Sequence, residues 1–351
     1  DLTHLRQVAD SSGTNGIHLF KPASVVRSAY QMTSGRSSGA GKRYMLRLGS
    51  AAAWTETKDE NEQSHSTFLD AGNNPPTGAI FHYNLGEADA NDAVLTVSDA
   101  DGQVIRTVRP KPCDYDDLPE SERPAGPFLP VNKGMNRYNW DLRYDKSSRV
   151  GTAPKSEAVE GPLVVPGTYN VSLTVAGQTV SQEVTIEQDP RVSTSAEELG
   201  EQLDLMLRVR DKTGEVHDAI NRIRSIRGQV AEWAGRANAA GKGEALADVV
   251  ETLNDSLGSI ELAFIQTTAP EEEGLDRIAL PAGVGFKLKE LMAAIASADA
   301  APTTQQHDVC GVLSERADGA LDRLERLENE DLQRFVDTLH ELEIPAIVAK
   351  A

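Results

Sequence analysis

At Asp189-Pro190 the spacing of apolar residues changes from two to between three and four. Side chains alternate faces along a strand and return to one face about every 3.6 residues along a helix. A chain that keeps the two periods in separate blocks folds as β then α, not as an intermixed α/β sheet. Upstream of the switch, AIFHYNL (79–85) places Ile80, His82 and Asn84 on one face and Phe81, Tyr83 and Leu85 on the other. AVLTVSD (93–99) and QVIRTVR (103–109) alternate in the same way and meet at DADG (99–102). There Asp-Gly supplies the positive φ that a hairpin turn requires. GMNRYNWDLRYD (134–145) is a further strand, and 166–190 is a hairpin turned at Ala176-Gly177. Val171, Leu173 and Val175 line one face of that hairpin, and Val180, Val184 and Ile186 return beside them. The stretch from Pro110 to Pro130 holds six prolines and reads as a loop, since proline cannot donate to a ladder. Short strands separated by frequent turns predict a β-sandwich over 75–190, with Trp140 filling its core.

Residues 1–74 read as an irregular linker segment, rich in Gly, Ser and Asn. Two apolar pieces interrupt it: IHLF at 17–20, and YMLRLGSAAAW at 44–54, which alternates briefly at Tyr44, Leu46 and Leu48 and is a candidate strand. Downstream of the switch, Thr194 or Ser195 is placed to cap a helix whose first turn holds Glu197 and Glu198. Leu199, Leu203, Met206, Val209, Val216, Ile220, Ile223, Val230 and Trp233 carry that helix to about 235. Further helices are expected at 244–266, at 286–298 and from just after Pro302-Thr303-Thr304. Long amphipathic helices on short loops predict an antiparallel α-helical bundle over 191–351.

The helical block carries 17 Lys and Arg against 30 Asp and Glu, a net −13 out of −19 for the whole chain. Such a surface repels phosphate backbones, so nucleic acid is not an expected partner. Aromatics at 5% leave little material for stacking platforms. No run of about 18 apolar residues occurs, so no membrane span is expected. Asp1 is not a methionine and no signal segment follows it, which reads as a processed or truncated N-terminus. Cys113, expected to be exposed, and Cys310, expected in a core, fall in different blocks and form no zinc spacing.

The chemistry-bearing residues form no signature. GAGK at 39–42 lacks Walker spacing, and neither GxSxG nor HExxH occurs. The seven histidines (His4, His18, His65, His82, His217, His307 and His340) include no i, i+4 pair. Asp114, Asp116, Asp117 and Glu120 offer oxygen ligands for calcium but lack EF-hand spacing, and solvated loop acid explains them. Asp141 beside Trp140 is the most tempting single carboxylate, and a strand-end hydrogen-bonding role explains it. Arg208, Arg210, Arg222, Arg224 and Arg227 stand among acids, as on a salt-bridged helix face. No catalytic, cofactor-binding or metal-ligating residue is assigned, and no cofactor is expected.

Several stretches together resemble the C-terminal region of bacterial BNR-repeat proteins with sortilin-like β-propellers. They are DLTHLRQ (1–7), HLFKP (18–22), LDAGNNPPTGAIFHYNL (69–85), LTVSDADGQVIRTV (95–108), GMNRYNWDLRYD (134–145), VVPGTYNVSLTVAGQ (164–178) and DPRVSTSAEELGEQLDLMLRVRDK (189–212). NRIRSIRGQV (221–230) and the segment around PTTQQ (302–306) extend the resemblance into the helical block. The DxxGxxVR hairpin, the WD strand and the PGTY strand are also similar to the Ig-like domain of flagellar hook-capping proteins. The resemblance implies an Ig- or fibronectin-III-like sandwich followed by a bundle. It implies a secreted, periplasmic or cell-surface parent, often labelled a glycosyl hydrolase or sialidase-like protein. Asp-box blades belong upstream of Asp1 in that family, and no S-x-D-x-G-x-x-W occurs in this chain. The expected function is therefore a non-catalytic accessory and protein-interaction region. Its implied partners are its own upstream β-propeller, against which 1–74 would pack, and another protein or a second copy through the helices. The alternative is a part that shapes the substrate cleft of a glycan-acting hydrolase.

Overall fold

The computed structural model describes residues 3–10, 16–28, 41–47, 50–69, 72, 77–86, 90–119, 122–124, 126–151, 158–266 and 281–345. A sheet-rich N-terminal part is followed by helices. Two compact units result: Asp1–Asp145 with Pro162–Leu203, and Lys146–Gly161 with Asp204–Ala351.

The first 74 residues hold more regular structure than the irregular segment expected there, and the candidate strand at 44–54 falls on the third and fourth strands of the chain. These residues carry α1 (Thr3–Asp10), β1 (His18–Leu19), β2 (Val25–Arg27), β3 (Gly41–Arg47), β4 (Ser50–Lys58) and β5 (Ser64–Phe68). The strands β3, β4 and β5 form an antiparallel meander. Its β4–β5 turn is tied by the Asp59 carboxylate, which accepts the backbone N–H groups of Asn61 and Gln63 at 2.9 and 3.0 Å. The strands β1 and β2 are too short to show a period, and their partners lie far along the chain. Their pairing is set by tertiary contacts that no local pattern records.

The strands expected further on are present as β6 (Ala79–Asn84), β7 (Val94–Ser98), β8 (Val104–Val108), β9 (Met135–Trp140), β10 (Gly167–Val175) and β11 (Gln178–Gln188). One sheet has the order β1-β6-β9 and another the order β2-β11-β10-β7-β8. All pairings are antiparallel except β2 with β11. The inward residues of both sheets meet in a single apolar cluster. Phe81, Tyr83, Tyr138 and Trp140 come from the first sheet, and Leu95, Val97, Val171, Leu173, Val184 and Ile186 from the second. Gly78 sits at φ +113°, and a Cβ there would strike the Trp140 carbonyl, so glycine is required where β6 begins. The Asp-Gly turn forms as read: Asp99 Oδ1 accepts from the backbone of Asp101 and Gln103, and Gly102 takes φ +82°.

The helices are α2 (Ala196–Ala239), α3 (Gly243–Phe264), α4 (Val284–Ile295), α5 (Thr304–Asn329) and α6 (Asp331–Glu341). Ser195 caps α2 through a reciprocal box: its hydroxyl accepts the Glu198 N–H, and the Glu198 carboxylate accepts the Ser195 N–H. Thr303 and Gln306 repeat the device at α5. The core of the second unit draws Leu205, Val209, Ile220, Ile223, Leu257, Phe264, Leu288, Leu313 and Leu324 into one cluster. Cys310 is buried in it, and Cys113 is exposed in the first unit, as their surroundings in sequence suggested.

The boundary expected at 190 is placed differently. The segment Lys146–Gly161 lies inside the stretch assigned to strands, yet it belongs to the helical unit. Val150 and Val159 supply the reason, since both are buried among the helix side chains. Two valines carry no period, so sequence spacing could not assign them to a neighbour.

Candidate functional site

Three groups of ionisable side chains stand out: one in the first unit, one in the helical unit, and a third with members in each. The first surrounds Asp141. The strand β9 ends at Trp140, whose indole Nε1 donates to the Arg143 carbonyl at 3.0 Å. Asp141 Oδ1 accepts the Arg143 N–H at 3.2 Å, which closes the turn that follows the strand. Arg106 of β8 is buried beside it, with Nη1 3.2 Å from Asp145 Oδ1. Burial works against the Arg106 guanidinium. Tyr138, Asp141 and Asp145 outweigh that and hold it above its ordinary value. Burial likewise pushes the Tyr138 phenol up to about 12, while Arg106 pulls it back. A charged Arg106 and a neutral Tyr138 therefore persist across the physiological range.

The second group is the arginine set on α2. Arg224 Nε and Arg227 Nη1 reach the two oxygens of Glu261 at 2.8 and 2.7 Å. Glu261 lies on α3 and is only 3% exposed. Arg227 also donates to the Asn254 carbonyl at 3.3 Å. Arg222 pairs with Glu328 at 3.0 Å, and Arg210 with its neighbour Asp211 at 2.6 Å. Four of the five arginines singled out in sequence thus hold acids. Glu261 itself was missed. It stands on the apolar side of α3 between Ile260 and Phe264, and that misfit with the helical period was the available signal.

The third group joins histidines to backbone. In the helical unit His217 Nδ1 lies 2.6 Å from the Ser148 carbonyl, and burial lowers its pKa. Four residues on, one turn along α2, Asn221 accepts the Gly151 N–H at 3.1 Å and donates to the Arg149 carbonyl at 2.8 Å. His217 and Asn221 therefore clamp the segment that carries Val150. In the first unit His4 stacks on His82, with ring centroids 3.7 Å apart and planes at 15°. His65 Nε2 is 3.1 Å from Asp59 Oδ2 at the exposed β4–β5 turn.

The loop acids do not converge. Asp116 lies 3.6 Å from Lys111, and the Asp114 carbonyl accepts the N–H groups of Asp117 and Leu118. Glu120 lies outside the described residues, as do Gly39 and Ala40 of GAGK. Gly41 and Lys42 of that run open β3. Among the described residues no group of three or more His, Cys, Asp and Glu side chains could hold a metal ion. Also among them, no helix is long and apolar enough to cross a membrane.

A shallow cleft of about 130 Å³ lies between α3 and α6, lined by Asp248, Val249, Thr252, Leu253, Asp331 and Arg334. Arg334 Nη1 is 3.4 Å from Asp331 Oδ1 in its wall. The lining pairs no nucleophile with a base, and the volume falls below the few hundred Å³ usual for a small-molecule site. Asp59 and Asp141 close turns, Glu261 joins α2 to α3, and His217 holds the Ser148 backbone. No family profile, no curated relative and no solved structure matches this chain.

Proposed function

We propose that this chain is the non-catalytic accessory and protein-interaction region of a secreted BNR/sortilin-like β-propeller protein. In this reading it is an Ig-like β-sandwich followed by an antiparallel helical bundle. The observation that carries the reading is the strand order. Taken in Ig lettering, β1, β6 and β9 stand as A, B and E, and β8, β7, β10 and β11 stand as C′, C, F and G. A core shared by the two sheets supports the same assignment. So does Tyr169, at the start of the F strand, whose hydroxyl donates to the Val165 carbonyl four residues back at 2.6 Å. That bond is a tyrosine corner, a mark of Ig-like sandwiches. Trp140 packs edge-on against the Tyr169 ring at 6.0 Å. It does so from E, where antibody domains place their tryptophan on C.

A fold does not supply an activity, so the functional half of the reading rests on the side chains and on the resemblance. The candidate groups are engaged in structure, which suits a module that recognises and supports a neighbour. The test is an activity assay on sialosides and aryl glycosides, with the upstream region of the same gene expressed separately. The chain alone should turn over neither substrate. Its addition should leave kcat/KM of the upstream region unchanged. A tenfold or larger rise in kcat/KM on addition would instead support a cleft-shaping role in a glycan hydrolase.

A further inference from the structure

We propose that α1 is a pH-released latch: at neutral pH the stack of His4 on His82 holds it to the outer face of the β1-β6-β9 sheet, and it lets go when that pair takes up a proton. The attachment is polar. Besides the histidine stack, Gln7 clamps the backbone of Lys21, donating to its carbonyl and accepting its N–H, each at 2.9 Å. Of the apolar residues of α1, Leu5 is 53% exposed and Val8 39%. A helix of eight residues is marginal by itself, so its place depends on its contacts with the rest of the chain, the histidine stack among them.

The surroundings of the pair make that proton costly. His82 points away from the core on β6, between the buried Phe81 and Tyr83, and Arg137 stands opposite it on β9. Among the described residues, His4 and Arg137 are charges that act on His82. His18 of β1 lies on the same face, opposite Asn84. All of these are positive or become positive in acid. Burial first, then His4 and Arg137, hold His82 down at about 4, against 6.5 for an ordinary histidine. The Nδ1 atom of His4 is buried without a hydrogen-bond partner, so no acceptor waits to stabilise an imidazolium there. A shared metal ion does not explain the pair. A metal lies in the plane of each imidazole that binds it, and two nearly parallel rings 3.7 Å apart have no such common point.

The released state binds the proton more readily than the docked one. Docking is therefore strongest above pH 6.5 and weakens as pH falls from 6.5 towards 4. Part of the repulsion persists after release, because Arg137 remains beside His82. The expected loss of docking at pH 4.5 is roughly tenfold, below what the full shift would give.

Hydrogen exchange of the whole chain, at pH 7.5 and 4.5 with labelling times scaled for intrinsic exchange, reads this directly. Amides of residues 3–10 should lose about tenfold in protection at pH 4.5 while those of β6 keep theirs. His82→Phe keeps a ring under His4 without the proton and should abolish the loss. His82→Lys should leave α1 unprotected already at pH 7.5. Protection of α1 that is absent at pH 7.5, independent of pH, or lost equally in His82→Phe would overturn the proposal. Should His82→Phe fail to fold, NMR titration of the wild-type ring protons replaces it. A His82 transition shared with the α1 amides supports the latch, and a transition they do not follow refutes it.

Discussion

Glu261 is a carboxylate only 3% exposed on the apolar side of α3. Moving a carboxylate out of water costs several kcal/mol, and two guanidiniums at 2.7–2.8 Å offset that cost. The two sides of the pair are unequal. Arg224 and Arg227 are about one-third exposed and can turn to water, whereas Glu261 cannot. Removing both arginines, as Met, should therefore cost about 3 kcal/mol, because a bare buried carboxylate remains. Glu261→Leu should cost less than about 1 kcal/mol, because the freed arginines resolvate. Urea unfolding of the two variants separates the cases, and equal losses would show that Glu261 reaches water. A smaller effect is expected at Tyr169. Tyr169→Phe removes its bond to the Val165 carbonyl and should cost about 1 kcal/mol in the same assay, with no change in strand content. Tyr169 stood inside the quoted PGTY stretch, but its bond back to Val165 is visible only in the structure. Glu261 could have been found only by asking why an acid stands on an apolar helix face.

Among elements, those with enough residues to show a period were legible and the rest were not. The strands from β6 to β11 and the helices from α2 to α5 follow from alternation, turn residues and caps. The box at Ser195 and Glu198 was written into the sequence as S-x-x-E. The elements β1 and β2 have two and three residues and depend on partners more than sixty residues away. The segment 146–161 was misassigned for a related reason, since its place is fixed by two valines and by a helix that begins fifty residues later. That account makes a prediction. Val150→Ala and Val159→Ala should each destabilise the helical unit by about 1–2 kcal/mol, through lost burial and an incompletely filled space. Val104→Ala, at an exposed strand position, should stay within about 0.5 kcal/mol. Thermal unfolding followed at 222 nm measures all three. Indistinguishable midpoints would mean that the segment only rests on the helices.

For the whole molecule, the units do not coincide with the two blocks of sequence. The chain leaves the sheet-rich unit after Asp145, returns at Pro162 and leaves again after Leu203. A fragment of residues 191–351 therefore lacks part of its own core. It also lacks the backbone partners of His217 and Asn221. In urea unfolding its helices should be less stable than in the intact chain, by about 3 kcal/mol. The measurement that bears most directly on the proposed function is a calorimetric titration of the intact chain into the separately expressed upstream region of its own gene. An accessory region that supports a propeller predicts saturable one-to-one binding with a Kd of about 10 μM or tighter, near −7 kcal/mol. No heat and no co-elution at about 100 μM of each partner would contradict the account.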